Sequence, residues 1–329
     1  MKIYLLSHLI KYYFPWLIPI VRKSKLLLKR GKIDIPIKAN ARYCYSVWLR
    51  HLSILKEFNL STSPSIVAEL GPGDSIGVGI MSLLTGAKKY HAFDVVRHTI
   101  PEQNVELLYE LVDLIKDQED IPNEKEFPKM FPLLKSYNFP RNILTEDKIE
   151  KSDKMIEKIK GSLLNNEKLD DRLSFINYFC PWNDPNVIIR ESVNMIFSQA
   201  VLEHVNDLDH TYKTMYVWLK RGGVMSHQID FKSHGSSKAW NGHWTYSDFE
   251  WKLINGKEIY TINRQPLSKH IDLLNKIGFR VISIIPEKTY PSDTYINGSI
   301  HRNQLAKRFT EMTEEDFTTC SAHILSIKD

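Results

Sequence analysis

The chain is organised around Ile66–Gly79, which reads IVAELGPGDSIGVG. Its apolar run Ile66–Leu70 predicts a buried strand, and a turn with Gly71 and Gly73 follows directly. Neither glycine has a Cβ, so a ligand can lie against the main chain at this turn. A strand that ends in a glycine turn predicts an α/β protein that brings its backbone close to a nucleotide-like ligand, although plain turn chemistry is the alternative.

The residues after the turn extend this interpretation. Asp74 or Ser75 is placed to cap a helix that runs to about Thr85, and the first N–H groups of such a helix are free donors. A second apolar strand, Tyr90–Asp94, ends in an acid that can accept both hydroxyls of a ribose. The absence of a third glycine, at Ile76, argues against a dinucleotide as the ligand.

A second group of motifs lies downstream. Val193–Asp207 reads VNMIFSQAVLEHVND, which predicts a strand ending at Ser198-Gln199 and a helix beginning near Val201. Trp218–Gly223 predicts a helix end broken by glycines, and Val224–Phe231 predicts another strand.

Taken in order, these motifs resemble the class I S-adenosylmethionine-dependent methyltransferases, of the type 11-like kind. The resemblance covers roughly Ser63–Phe231, with Ser75 where the family often has a third glycine and Arg221 where proline is usual. It implies a Rossmann-like α/β fold: a seven-stranded, mostly parallel sheet with helices on both faces and the last strand antiparallel. The segments WNGHW and SHQID also resemble methyltransferases of bacterial surface-polysaccharide clusters.

The resemblance also implies S-adenosyl-L-methionine as the cofactor. Its amino acid end would meet the glycine turn and Glu69, and its ribose would meet Asp94. A side chain in the loop after the third strand would meet the adenine, where Trp182 could pack on the ring or in the core. The predicted cofactor-binding residues are Glu69, Gly71, Gly73, Ser75, Asp94, Asn183, Asp184, Ser198 and Gln199.

A histidine- and aromatic-rich loop follows the fifth predicted strand. Aromatic faces with hydrogen-bonding side chains suit a sugar ring, and the predicted substrate contacts are Trp240, His243, Trp244 and Tyr246. Methyl transfer to a hydroxyl needs a base, for which histidine is suited. The predicted catalytic residues are His204, His227, Asp230 and His234, with Asp230 orienting His234 if the strand ends between them. For any single histidine a structural hydrogen bond is the alternative. Three histidines and an aspartate could also bind a metal, but their spacing matches no metal motif, so no metal is predicted and the need for one is left open.

The chain is organised as an N-terminal helical extension, residues 1–60, and a methyltransferase domain, residues 61–329. Insertions are predicted at about 117–171 and 232–265, the first as a substrate lid or oligomer contact. Tyr43–Phe58 has the apolar spacing of a helix. The resemblance implies that such a helix covers the cofactor pocket, and packing in the core is the alternative for most of its apolar residues. Tyr12–Val21 is apolar but too short to span a bilayer, so residues 1–30 form either an interfacial anchor or a helix packed on the domain.

Composition sets outer bounds. The chain has 329 residues, 43% of them hydrophobic and 25% charged, with a formal net charge of +5. This modest charge without a dense basic stripe argues against nucleic acid as a partner. The three cysteines are scattered, which favours a reducing compartment, and we expect a cytoplasmic protein with peripheral contact to the inner face of the membrane as an open alternative. The oligomeric state is left open.

The function predicted from these patterns is O-methylation of a sugar in a bacterial surface glycan or its precursor. A quinone, a lipid or another small molecule is the alternative acceptor. A cofactor-binding scaffold without chemistry is the alternative from a different class.

Overall fold

One sheet organises the part of the chain that the structure describes. The computed structural model describes residues 40–164, 174–182, 184–256, 261–289 and 298–329. The described residues form seven strands: β1 (Ile66–Leu70), β2 (Lys89–Phe93), β3 (Ile176–Phe179), β4 (Val193–Gln199), β5 (Leu219–Asp230), β6 (Phe279–Lys288) and β7 (Thr319–Lys328). Their order across the sheet is β3-β2-β1-β4-β5-β7-β6.

The strand directions confirm the predicted fold class. Strands β3, β2, β1, β4 and β5 run parallel to their neighbours, whereas β7 pairs antiparallel with both β5 and β6. The chain moves from β1 outward to β3 and then returns to the other side of β1 with β4. Such a reversal leaves a crevice at the carboxyl ends of β1 and β4, which is where open α/β sheets bind ligands.

Helices cover both faces of this sheet. One face packs against α1 (Ala41–Glu57), α2 (Gly77–Leu84), α3 (Pro101–Lys116) and α4 (Glu146–Leu164). The other packs against α5 (Leu208–Trp218) and α7 (Leu267–Ile277). The short helices α6 (Asp248–Asn255) and α8 (Glu314–Thr318) belong to the connections on either side of α7. Gly278 ends α7 in the left-handed conformation, with φ of +106°, as its position after the helix predicts.

Helix α2 begins later than predicted. Neither Asp74 nor Ser75 is its N-cap; Ile76 takes that position without a side-chain cap bond. The amide of Ile76 donates instead to Asn104 Oδ1 in α3, at 3.1 Å, and the amide of Gly77 donates to Ser75 Oγ at 3.3 Å. A partner from another helix therefore satisfies an N–H group that local capping was expected to satisfy.

The two glycines predicted to end helix α5, Gly222 and Gly223, lie inside β5 instead. Helix α5 does end at Trp218, but the chain enters β5 at Leu219, before the two glycines. Gly222 has a φ of +72° and lies where the β4–β5 register shifts, between the Val193–Leu219 and Met195–Val224 pairs. These glycines therefore allow an irregular stretch inside the strand rather than ending a helix.

The first predicted insertion is fastened to α1 in its described part. Arg50 of α1 donates from Nη2 to the Pro122 carbonyl at 3.0 Å, and Ser46 Oγ donates to the same carbonyl at 2.8 Å. Gln199, at the end of β4, donates from Nε2 to the Phe131 carbonyl at 3.1 Å. The segment thus closes over the carboxyl edge of the sheet beside β4.

The second predicted insertion contributes two small clusters of buried side chains. In one, Trp240 and Trp244 pack with Phe309 and Phe317, and in the other Tyr246 packs with Trp251 of α6. Helix α6 is anchored by a reciprocal cap in which Ser247 and Glu250 bond to each other's backbone amides.

The described residues include only part of the predicted N-terminal extension, residues 1–60. The predicted helix at Tyr43–Phe58 is present as α1, whereas the candidate anchor at residues 1–30 lies outside the described residues. Within the described ranges, none of the helices has both the length and the apolar character that crossing a membrane requires.

Candidate functional site

The glycine turn and the acid after β2 lie side by side. Gly71 and Gly73 have φ values of +63° and +70°, in the left-handed region that glycine adopts without strain. The amide of Gly71 donates to the Phe93 carbonyl at 2.8 Å, which joins the ends of β1 and β2. A Cβ on Gly71 would overlap Val201, whereas a Cβ on Gly73 would meet open space. The backbone is therefore accessible at Gly73.

Asp94 faces this turn from the end of β2. Its Oδ1 accepts from the Val95 amide at 2.7 Å, and its Oδ2 lies 3.4 Å from the Gly73 amide and 3.5 Å from the Tyr178 hydroxyl. The carboxylate is almost fully buried. The short bond from the Val95 amide fixes Oδ1. The contacts of Oδ2 are long, so this oxygen is available to a hydrogen-bond donor that comes closer.

Glu69 lies on β1, two residues before Gly71, and is buried. It accepts a short hydrogen bond from the Tyr90 hydroxyl. Burial is the main reason that its pKa rises to about 8; the bond from Tyr90 opposes this rise and the charge of Asp94 adds to it. A cation placed near Glu69 would favour its ionised form.

The raised pKa of Glu69 predicts a pH dependence of stability. An acid whose pKa is higher in the folded protein binds more protons there, so stability falls as the pH rises from about 4.5 to about 8. Glu69→Gln should make this fall shallower, by up to about 1.4 kcal/mol per pH unit. Urea unfolding at pH 5.5 and 7.5 tests this.

Glu106→Gln, on the exposed side of α3, is the matched control and should keep the wild-type slope. Glu203 contributes a fall of the same sign, because its pKa is also raised to about 8, so the Glu69→Gln slope is reduced rather than abolished. Equal slopes for wild type and Glu69→Gln would contradict the assignment.

At the end of β4, Ser198 and Gln199 point to opposite faces of the sheet, as neighbours on a strand do. Ser198 Oγ bonds to His227 Nδ1 at 2.8 Å on the face covered by α5 and α7. Burial lowers the pKa of His227 to about 3, so this histidine is neutral. His227 and Asp230 are three residues apart on β5 and face opposite sides of the sheet, so the structure does not bring His227 together with Asp230. A catalytic role for His227 stays a prediction.

The other three predicted catalytic residues do come together, with Glu203 among them. One carboxylate oxygen of Glu203 and one ring nitrogen each of His204 and His234 lie within 4.8 Å of one another. Asp230 is the last residue of β5, and its Oδ2 lies 3.6 Å from His234 Nε2. The rings of His204 and His234 are 5.0 Å apart, edge to face. We call these four residues the His–acid cluster.

Backbone geometry holds the cluster in place. Glu203 and His204 lie on a single 3₁₀ turn, Leu202–His204. Asn263 clamps this turn, since its Nδ2 donates to the Leu202 and Val205 carbonyls at 2.8 Å each. His234 has a φ of +45°, an uncommon conformation for a residue with a side chain and one that occurs preferentially at functional sites.

Burial and mutual charge set the protonation of the cluster. Burial raises the pKa of Glu203 to about 8 and lowers that of His204 to about 4. Burial also acts on His234 and Asp230, but the attraction between the two side chains outweighs it, and the charge of Lys232 adds to the effect at Asp230. The pKa of His234 is raised above its ordinary value, and that of Asp230 falls to about 2. The pair is thus a carboxylate that holds and orients an imidazole.

The predicted substrate residues are buried. Trp244 Nε1 donates to the Arg264 carbonyl at 3.2 Å, and the Tyr246 hydroxyl donates to the Ser236 carbonyl at 3.1 Å. Trp240 packs edge to face on Trp244, at 5.8 Å between ring centroids. In this structure these aromatic side chains form packing contacts rather than an open face for a sugar. His243 differs, because it lines a small cavity together with Glu203 and Asp230.

The predicted adenine contacts are only partly described. Asn183 lies outside the described residues. Asp184 is exposed and accepts from the Asn186 amide at 2.8 Å, as in a local turn. Trp182 packs in the core against Trp218, with ring centroids 6.1 Å apart, so the core alternative for this residue is the observed one.

Comparison with known proteins gave matches only among solved structures. No family model matches the chain, and no curated protein matches it. An S-adenosylmethionine-dependent methyltransferase from Mesorhizobium loti is similar at 12% identity over 84% of this chain and 96% of that one, with a TM-score of 0.40. Phosphoethanolamine N-methyltransferase 2 from Haemonchus contortus is similar at 13% identity over 91% and 59%, with a TM-score of 0.39. Geranyl diphosphate C-methyltransferase from Streptomyces coelicolor is similar at 9% identity over 85% and 79%, with a TM-score of 0.43. The fold itself rests on the strand order and register described above.

The resemblance placed Glu203 beside the cofactor and the acceptor together with His204 but gave it no role, and sequence reasoning missed Asn263. Glu203 stands next to the predicted His204, so the pair was visible in the segment LEHV. Asn263 carried no signal, because only the folded chain brings the end of the second insertion to the 3₁₀ turn.

Proposed function

We propose that this chain is an S-adenosylmethionine-dependent methyltransferase that O-methylates a sugar of a bacterial surface glycan or its precursor. The observation that carries this proposal is the juxtaposition of the Gly71–Gly73 turn with the Asp94 carboxylate. They lie at adjacent strand ends beside the crevice between β1 and β4. The sheet also agrees with the seven-stranded form that the sequence resemblance implies.

In this proposal the cofactor lies across the carboxyl ends of β1, β2 and β4. The main chain at Gly73 would meet its amino acid end, with Glu69 compensating the ammonium charge. The oxygens of Asp94 would accept from the two ribose hydroxyls, one in place of the long Gly73 contact. Ser75 and Gln199 would border the site, and Asn183 or Asp184 would bond the adenine.

The reaction would be a direct displacement. The acceptor oxygen attacks the methyl carbon, a carbon–oxygen bond forms, the carbon–sulfur bond breaks, and sulfur leaves as a neutral thioether. The hydroxyl proton passes to His234, which Asp230 orients. The protein contributes chiefly by holding acceptor and methyl donor in line.

His234→Ala should lower turnover by about 100-fold, at the lower end of what a general base contributes, because His204 remains nearby. Methyl-labelled S-adenosylmethionine, incubated with a panel of nucleotide sugars and glycans, measures the transfer. His210→Ala, an exposed histidine on α5, is the matched control and should retain wild-type turnover. Equal turnover of His234→Ala and wild type would remove His234 from the reaction.

The same panel separates the alternatives. Transfer to quinones or lipids but not to sugars would move the acceptor to the second candidate class. Cofactor binding without transfer to any acceptor would favour the scaffold. The proposed setting is cytoplasmic, with no nucleic acid partner. Peripheral membrane contact through residues 1–30 stays an open alternative, beside packing of that segment on the domain.

A further inference from the structure

The His–acid cluster has the composition of a metal site. Two imidazoles and a carboxylate, from Glu203, His204 and His234, converge within 4.8 Å. They come from two places in the chain, the 3₁₀ turn after β4 and the loop after β5. Mixed nitrogen and oxygen donors of this kind suit divalent transition metals such as Zn²⁺ better than they suit Mg²⁺, which prefers oxygen ligands.

A second observation points to a cation at this place. Glu203 is only 3% exposed, and neither of its carboxylate oxygens has a hydrogen-bond partner among the described residues. Nδ1 of His204 is likewise buried without a partner among them. Buried polar atoms are nearly always satisfied, so a carboxylate and an imidazole nitrogen left over at one spot indicate a ligand.

Asp230 completes the arrangement. Its position 3.6 Å from His234 Nε2 matches the outer carboxylate to which metal-binding histidines usually donate their other ring N–H. Lys232 lies 3.7 Å from Asp230 but also 3.2 Å from Glu287, so this lysine is shared between two carboxylates. A divalent cation would compensate the negative charge of Asp230 and that of Glu203 in its ionised form.

We infer that Glu203, His204 and His234 bind a divalent transition-metal cation, with Asp230 as the outer partner of His234. This inference concerns binding and does not depend on the reaction proposed above. With the cation present, His234 is a ligand, and an acceptor hydroxyl on an open coordination position would lose its proton more readily. Without it, His234 keeps the role of proton acceptor.

The test is direct metal binding to the full chain, with no acceptor or cofactor added. Chelator-treated protein is titrated calorimetrically with Zn²⁺ and with Mg²⁺, and the visible absorption of added Co²⁺ is recorded. We expect one Zn²⁺ per chain at roughly micromolar affinity or tighter, weaker binding of Mg²⁺, and Co²⁺ bands typical of low coordination number.

Variants locate the site. His234→Ala and Glu203→Gln should weaken Zn²⁺ binding by more than about 100-fold, beyond the 10- to 100-fold cost expected for the outer-partner variant Asp230→Asn. His210→Ala is the matched surface histidine and should bind as wild type does. The His234 side chain is partly exposed, so its removal leaves no core cavity. If Glu203→Gln does not fold, the Zn²⁺ affinity of His234→Ala alone tests the site.

Absence of Zn²⁺ binding to the wild type would overturn the inference. The inference would also be overturned if His210→Ala lost Zn²⁺ binding while His234→Ala kept it. Neither result bears on methyl transfer, which is measured separately with labelled cofactor, so failure of the metal site and failure of the proposed function are distinguishable.

Discussion

Gly79→Ala is expected to destabilise the protein by about 3 kcal/mol, the upper end of the range for overpacking a core. Gly79 lies on the buried side of α2, and a Cβ there would overlap the ring of Tyr90 in β2 at less than 3.0 Å. That ring cannot retreat without breaking the bond from its hydroxyl to Glu69. The same substitution should therefore also disturb the proposed cofactor site.

Gly161→Ala is the matched control, because Gly161 is also helical but a Cβ there meets nothing within 4 Å. Alanine is the better helix former, so this change should stabilise the protein by about 0.5–1 kcal/mol. Urea unfolding of both variants measures the two effects. A Gly79→Ala protein as stable as wild type would show that α2 and β2 do not pack as described.

Asp94→Ala is expected to weaken binding of S-adenosylmethionine by about 100- to 10,000-fold. In the proposed complex the carboxylate accepts two hydrogen bonds from the ribose, and each bond to a charged group contributes about 1.5–3 kcal/mol. Calorimetric titration measures the loss. Asp94→Asn keeps an oxygen for the Val95 amide and so preserves the turn, and it should still weaken binding by about tenfold or more.

Asp74→Ala provides the control for charge. Asp74 lies in the same loop with an exposed side chain, so its removal changes the local charge equally without touching the proposed ribose site. We expect wild-type affinity for this variant. If Asp74→Ala lost as much affinity as Asp94→Ala, a general electrostatic effect would replace the specific ribose contact.

The sequence allowed the sheet to be predicted closely. Strand β1 has the predicted bounds, and Asp94 follows β2 directly, because short apolar runs bounded by glycine or an acid constrain a buried strand strongly. The last strand, β7, is antiparallel to its neighbours, as the resemblance implied. The start of α2 was placed too early, since its amide partner Asn104 lies on another helix and has no signature near the turn.

The site was harder to predict. Period-two alternation could already have separated His227 from Asp230, since residues three apart on a strand face opposite sides. By contrast, nothing in the composition of the 232–265 segment distinguishes a surface that holds a sugar from a small core. Trp240 and Trp244 are buried because Phe309 and Phe317, more than 60 residues later, fold back onto them. Such long-range packing is invisible to local patterns.

Calorimetric titration of the wild-type protein with S-adenosylmethionine and with S-adenosylhomocysteine, its demethylated product, tests the proposed methyl-donor site directly. Methionine alone serves as the control for the amino acid end. We expect both compounds to bind at roughly micromolar affinity, with one site per chain, and methionine to bind much more weakly. A folded protein that binds neither compound would contradict the proposal that the Gly71–Gly73 turn and Asp94 form a methyl-donor site.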